Sequence, residues 1–186
     1  MNDRYTRTAI CLHWLIALGL IGTFALGYYM PELALSPTKL KLYSWHKWAG
    51  VTLFFLVLIR LGWRLSHPVP PLPPTVPAAM RFASHVSHGV MYALMLAIPL
   101  SGWLMSSAKG FQTAWLGVLP LPDLLPKDAL LGDRLSDVHK VLNYTLLVLV
   151  IVHTCAALKH HFIDRDDVLT RILPLKRQPD PRHLKP

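Results

Sequence analysis

The chain has 186 residues, 53% of them hydrophobic and only 16% charged, with a mean hydropathy of +0.37. A soluble domain is expected to carry roughly 25% charged residues, so a soluble enzyme with a solvated surface is excluded. The formal net charge of +9 leaves ten histidines uncounted as neutral; basic clusters that flank apolar runs mark membrane orientation, not nucleic-acid binding.

Four apolar runs follow in chain order, each near the ~20 residues that cross a hydrocarbon core of ~30 Å as helix. They cover about 9–30, 45–65, 82–105 and 138–158. The first stops at Pro31. The second carries Arg60 and Arg64 near its end. The third contains Pro99, which a membrane helix tolerates where neighbours re-satisfy the freed carbonyl. No internal repeat is evident. The first run is too long for a cleavable signal peptide, and no small-residue cleavage site follows it.

The connections are short and proline-rich. His67 to Pro74 reads as an extended link between the second and third spans. The longest connection, from Lys109 to Asp137, mixes Trp115, Leu116 and Leu119 with Pro120, Pro122 and Pro126, and is expected to lie on the membrane surface. Beyond His161 the chain is polar and basic, and its last stretch is expected to be disordered.

An even number of spans puts both termini and the middle link on one side. That side collects Arg4, Arg7, Arg60, Arg64, Arg81, Lys159, Arg165, Arg171, Lys176, Arg177, Arg182 and Lys185. The opposite side has Lys39, Lys41, Lys47, Lys109, Lys127, Arg134 and Lys140. The excess of Lys and Arg assigns the termini to the cytoplasm. Cys11 and Cys155 both fall within spans near the inner side, which argues against a structural disulfide. Neither belongs to a Cys-x-x-Cys-His sequence, so covalent c-type haem attachment is excluded.

Ionisable residues inside a membrane are costly and mark function by default. His139 and His153 are fourteen residues apart on the fourth span. Helix geometry separates them by roughly 21 Å along the axis and about 40° around it. His13 follows Arg7 by six residues and His153 precedes Lys159 by six, so the two share an inner level. His46 and His139 are each followed by lysine and share an outer level. Two imidazoles on facing helices can hold haem iron from both sides with no covalent link. Two pairs, His13 with His153 and His46 with His139, therefore predict two haems stacked across the bilayer. Gly50, four residues after His46, and Gly19, Gly22 and Gly27 would leave room for porphyrin. The competing readings are hydrogen-bonded packing histidines and close helix packing at glycine.

Arg4-Tyr5 with His13-Trp14, His46, Ser84-His85-x-x-His88, and His139 with His153 resemble, in order and spacing, the bacterial cytochrome b561 family. The resemblance covers essentially the whole chain, including Lys159-His160-His161. The pattern is also similar to the di-haem cytochrome b subunits of formate dehydrogenases and hydrogenases. It implies an all-α membrane protein: a four-transmembrane-helix bundle in a bacterial inner membrane, holding two non-covalent b haems and exchanging electrons with quinone. Some members of the family are superoxide oxidases, which pass the electron of superoxide to ubiquinone.

Three further histidines and one arginine are candidates beside the four ligands. His88 reaches the inner level and is an alternative inner ligand; with His85 it otherwise faces a haem propionate or a quinone, or merely lines a polar helix start. His160 lies seven residues after His153, on nearly the same face and nearer the cytoplasm, where a quinone headgroup and its protons would be needed. A solvated helix end is the plainer reading of His160 and His161. Arg60, fourteen residues after His46, is placed to pair with an inner propionate, with snorkelling to the headgroups as its competitor. His67 and His183 sit at polar ends and have no assigned role. Lys39, Lys41, Lys47, Arg134 and Lys140 could form a positive funnel above the outer pair, diluted by Asp133 and Asp137, for a small anionic donor such as superoxide. The rival functions are a haem-bearing anchor relaying electrons for a peripheral dehydrogenase or hydrogenase partner, and a haem-free metal or proton transporter.

Overall fold

A computed structural model describes residues 4–73 and 76–174. Lys176, Arg177, Arg182, Lys185 and His183 of the basic tail lie outside the described residues. Four helices make the bundle: α1 (Arg7–Tyr29), α2 (Pro37–Ser66), α3 (Ala78–Ala108) and α4 (Ala129–Phe162). All four are long and apolar enough to cross a membrane, with mean hydropathy of 1.5 to 2.1 over their most apolar stretches. α2, α3 and α4 each outrun, at both ends, the apolar stretch that marks them. α2 begins eight residues before Trp45 and α4 begins nine before Val138, because helices continue past the hydrocarbon wherever a cap is supplied.

The caps are local and specific. Thr6 Oγ1 accepts from the Ala9 amide at 3.2 Å, Ser36 Oγ from Lys39 at 3.2 Å with Pro37 in the first turn, and Asp128 Oδ1 from Leu131 at 3.0 Å. Each satisfies an amide that the first helical turn leaves without a partner. α1 gives way at Pro31 to one 3-10 turn, Met30–Glu32. α2 stops at His67, ahead of Pro68. Gly110, at φ +73°, closes α3 in the left-handed conformation that glycine adopts without strain. Pro99 is accommodated inside α3.

Consecutive helices run antiparallel and pack α1 on α2, α2 on α3 and α3 on α4, most closely at the last pair. α1 and α4 meet through side chains, with Phe24 edge-on to Tyr144 at 5.9 Å. At mid-height the interior is filled by Ile16, Leu53 and Val57 on one side and Met91, Leu94, Ile98 and Leu146 on the other, with Leu20 against both. Outside, Leu18, Ile21, Ile59 and Val148 are exposed, the inside-out pattern of a bundle solvated by lipid.

Each end carries a further piece. At the end away from the termini (the hairpin end), the α3–α4 connection forms a two-stranded hairpin, β1 (Ala114–Trp115) with β2 (Leu119–Pro120). It folds onto the flank of α2: Trp48 Nε1 donates to the Ala114 carbonyl at 2.6 Å and Trp115 Nε1 to Thr52 Oγ1 at 3.2 Å. At the terminal end, residues 163–174 turn back across the bundle. Trp14 Nε1 donates to the Ile172 carbonyl at 2.9 Å, Arg4 to Leu173 at 2.8 Å, and Arg171 to the Pro71 carbonyl at 2.6 Å. The first part of the expected polar tail is thus a strap tying α4 to α1 and to the α2–α3 link.

Candidate functional site

Four helices bring their histidines to two levels. At the hairpin end, α2 contributes His46 and α4 His139, with ring centroids 6.3 Å apart. At the terminal end, α1 contributes His13 and α4 His153, with centroids 6.5 Å apart. α4 serves both levels because fourteen residues are nearly four whole turns.

Glycines set the walls of the hairpin-end pair. A Cβ on Gly27 would lie 3.1 Å from His46 Cε1, and one on Gly102 would lie 3.2 Å from His139 Cε1. A side chain at either glycine would press on the ring opposite, which would have to shift by a few tenths of an ångström. Gly50, on the face of His46, has open space where a side chain would stand. Gly19 is explained by packing instead, since its Cβ would collide with Leu53.

Hydrogen bonds orient the rings. His139 Nδ1 lies 3.1 Å from the Ile98 carbonyl and 2.9 Å from Ser101 Oγ. A proton on Nδ1 donated to the carbonyl leaves Nε2 as the lone-pair nitrogen facing inward. His46 Nδ1 is buried with no hydrogen bond of ordinary geometry. Sequence reasoning missed Ser101 and Gly102. They stand on α3, whose register against α4 is a tertiary fact with no signal along the chain.

The terminal-end level is richer. His88 joins it, its ring 5.2 Å from that of His153 and its Nδ1 2.7 Å from the Ser84 carbonyl. Arg60 points inward: Nε donates to Tyr92 Oη at 3.0 Å, one terminal nitrogen to the Ala9 carbonyl at 2.8 Å, and the other lies 3.3 Å from His13 Nδ1. The snorkelling alternative is not what the side chain does. Arg64 lies over the Tyr92 ring at 6.0 Å, and Tyr5, Ala9, Arg60, Trp63, Arg64 and Tyr92 line a cationic, aromatic notch. Trp14 stands edge-on to His13 at 5.4 Å. His85 is exposed and does not share the position of His88, three residues on. His160 is engaged by acids, 2.6 Å from Asp166 Oδ2 and 3.3 Å from Asp164 Oδ2. His67 stacks on Trp63 at 3.8 Å, a packing role. Cys11 and Cys155 are free thiols.

The expected cationic funnel is partly tied down. Lys39 donates to the Pro31 and Leu33 carbonyls, Lys41 lies over Trp45, and Lys47 donates to Phe111. Lys140 pairs with Asp137 at 3.2 Å and Lys109 with Asp133 at 3.1 Å.

Fold and site together define a multi-pass helical membrane protein with histidines paired, half-buried, at two depths. The chain belongs to the prokaryotic cytochrome b561 family, whose model matches residues 4–175. It is similar to Cytochrome b561 homolog 2 of Escherichia coli strain K12, 36% identical over 173 residues that cover 92% of each chain. It is also similar to the Probable superoxide oxidase CybB of Yersinia pestis, 28% identical with 95% of this chain and 99% of that one covered. Cytochrome b561 homolog 1 of Escherichia coli strain K12 is likewise 28% identical, over 94% of this chain and 99% of the relative. Membership implies a b-type haem and membrane electron transfer.

Proposed function

We propose that this chain is a transmembrane di-haem cytochrome b that carries electrons from the periplasmic side to a membrane quinone, with superoxide as donor. The observation that carries the two-haem reading is the ring spacing. An iron held between two imidazoles would need a nitrogen about 2.0 Å away on each side, which would put the ring centroids ~6.4 Å apart. The two pairs stand at 6.3 and 6.5 Å. The 5.2 Å between His88 and His153 is too short for an iron in line, which favours His13 over His88 as the ligand opposite His153.

The haems supply reversible one-electron chemistry, and the protein supplies the rest. His139 is set for ligation by the Ile98 carbonyl and Ser101, which fix its tautomer and orientation. Arg60 points a donor at His13 Nδ1; beside a ligating His13 it would be the cation for a haem propionate. His88 and the notch beside Arg60 and Arg64 lie next to that propionate or to the quinone.

The charge asymmetry of the loops supports a cytoplasmic terminal end, in a bacterial inner membrane. The electron then enters at the pair His46 and His139 and leaves near His13 and His153, where His160 serves the quinone headgroup. Superoxide as donor is supported by the name of the Yersinia pestis relative and by the lysines at the hairpin end. Two superoxide anions give two molecules of dioxygen and two electrons, and these with two protons convert quinone to quinol. The test is superoxide-driven reduction of ubiquinone-1 by the purified chain. Turnover that stops with superoxide dismutase is expected. Haem that stays oxidised under a superoxide flux, yet is reduced by an added dehydrogenase partner, would replace this reading with the anchor.

A further inference from the structure

His160 and Asp166 form a half-buried ion-pairing couple that ligand binding alone does not require. His160 ends the helix that carries both proposed α4 ligands, and Asp166 belongs to the strap. Their Nδ1 and Oδ2 atoms are 2.6 Å apart, and each side chain is only 13% exposed. The strap is shaped around this contact. The Asp166 amide donates to the His160 carbonyl at 3.1 Å, and Asp166 Oδ1 accepts from the Val168 amide at 3.0 Å. Arg165 turns through φ +53°, an uncommon conformation for a non-glycine residue, immediately before Asp166.

The neighbouring acid has another task. Lys159 Nζ holds both oxygens of Asp164, at 2.8 and 2.7 Å. Lys159 thus already neutralises Asp164, one of the two acids that with His160 could otherwise surround a cation, and leaves Asp166 as the nearer partner of His160. With Asp166 accepting the Nδ1 proton, the neutral ring keeps one tautomer, and Nε2 is its free nitrogen. His160 follows His153 by seven residues. It therefore lies on nearly the same face and about 10 Å nearer the terminal surface.

We propose that Asp166 is a positioning residue that holds His160 as the proton donor to the quinone reduced at this end. The proposal rests on the quinone-reducing function above. For each quinone, two electrons arrive one at a time through the haems, and two protons follow, each taken up at His160 Nε2 from water on the cytoplasmic side and then passed to the quinone, which returns the ring to its neutral Nδ1–H form. The strap thus links the proton path to the electron path.

The holoprotein, with both haems chemically reduced, is mixed with ubiquinone-1, and haem reoxidation is followed by stopped flow. Asp166→Asn and His160→Gln are each expected to slow reoxidation about tenfold, and the double variant to be no slower than His160→Gln. Asp166→Glu should recover most of the rate. Haem content and reduced spectra should be the same in all. Nitrogen-15 NMR of His160 should show the Nδ1–H tautomer in the wild type and its loss in Asp166→Asn. A wild-type rate in Asp166→Asn, or additive losses in the double variant, would overturn the relay. An unchanged tautomer would overturn the positioning. Wild-type haem that ubiquinone-1 fails to reoxidise would sink the quinone reading itself, while the NMR comparison would still decide whether Asp166 orients His160.

Discussion

His139 is the most constrained side chain of the proposed haem sites: a carbonyl and a hydroxyl hold one edge of its ring, and a glycine makes room for another. Removing either support should act through the ligand. Ser101→Ala deletes the hydroxyl. Gly102→Val adds a branched side chain whose first carbon would already stand 3.2 Å from His139 Cε1. Loss of such support typically costs about 10- to 100-fold in metal affinity. Both variants should therefore retain less haem at the hairpin end after detergent washing, with Gly102→Val the more severe, as read from the Soret absorbance per protein. His46→Ala and His139→Ala should each remove one haem and leave the other. Equal loss of both from a folded protein would contradict separate pairs. At this scale the histidine levels were legible, because rise and rotation per residue relate His139 to His153 without knowledge of the tertiary fold. The supports were not. Ser101 and Gly102 look like ordinary small residues until α3 is laid against α4.

Among the elements, the helices were legible from hydropathy, while the hairpin and the strap were legible only as interruptions. The hairpin shows why. Its strands are two residues each, and its anchors are the indoles Trp48 and Trp115 reaching across more than sixty positions of chain. Its tip exposes Leu116, Val118 and Leu119. With Trp115 also 5.9 Å from Phe55 on the flank of α2, the hairpin belongs at the membrane interface, where an indole is apolar in body and polar at its N–H. Val118→Cys, carrying a bimane label, should be quenched by brominated lipid and little by aqueous iodide; the reverse would place the tip in water. The strap is tied by Trp14 to Ile172, a contact between the two ends of the described chain. Trp14→Phe removes that hydrogen bond while keeping an aromatic edge on His13. It should loosen residues 163–174, seen as faster hydrogen exchange, with both haems still bound.

At the scale of the molecule, the apolar composition resolves into four lipid-facing helices, and much of the charge is spent locally. Lysines at the hairpin end are engaged by carbonyls, an indole and two aspartates, which leaves a weaker field for an anion than their number suggests. The rate of haem reduction by superoxide should accordingly fall with added salt, as for any steered anion, but by less than a surface of free lysines would give. The interior holds apolar packing at mid-height and imidazoles above and below it, an arrangement that a haem-free transporter with a continuous polar path does not require. Whether the two imidazole levels hold two haems is decided by a pyridine haemochrome assay on the purified chain, set against protein concentration by amino-acid analysis. A b-type spectrum with two haems per chain is expected; one haem, or none, would overturn the di-haem reading.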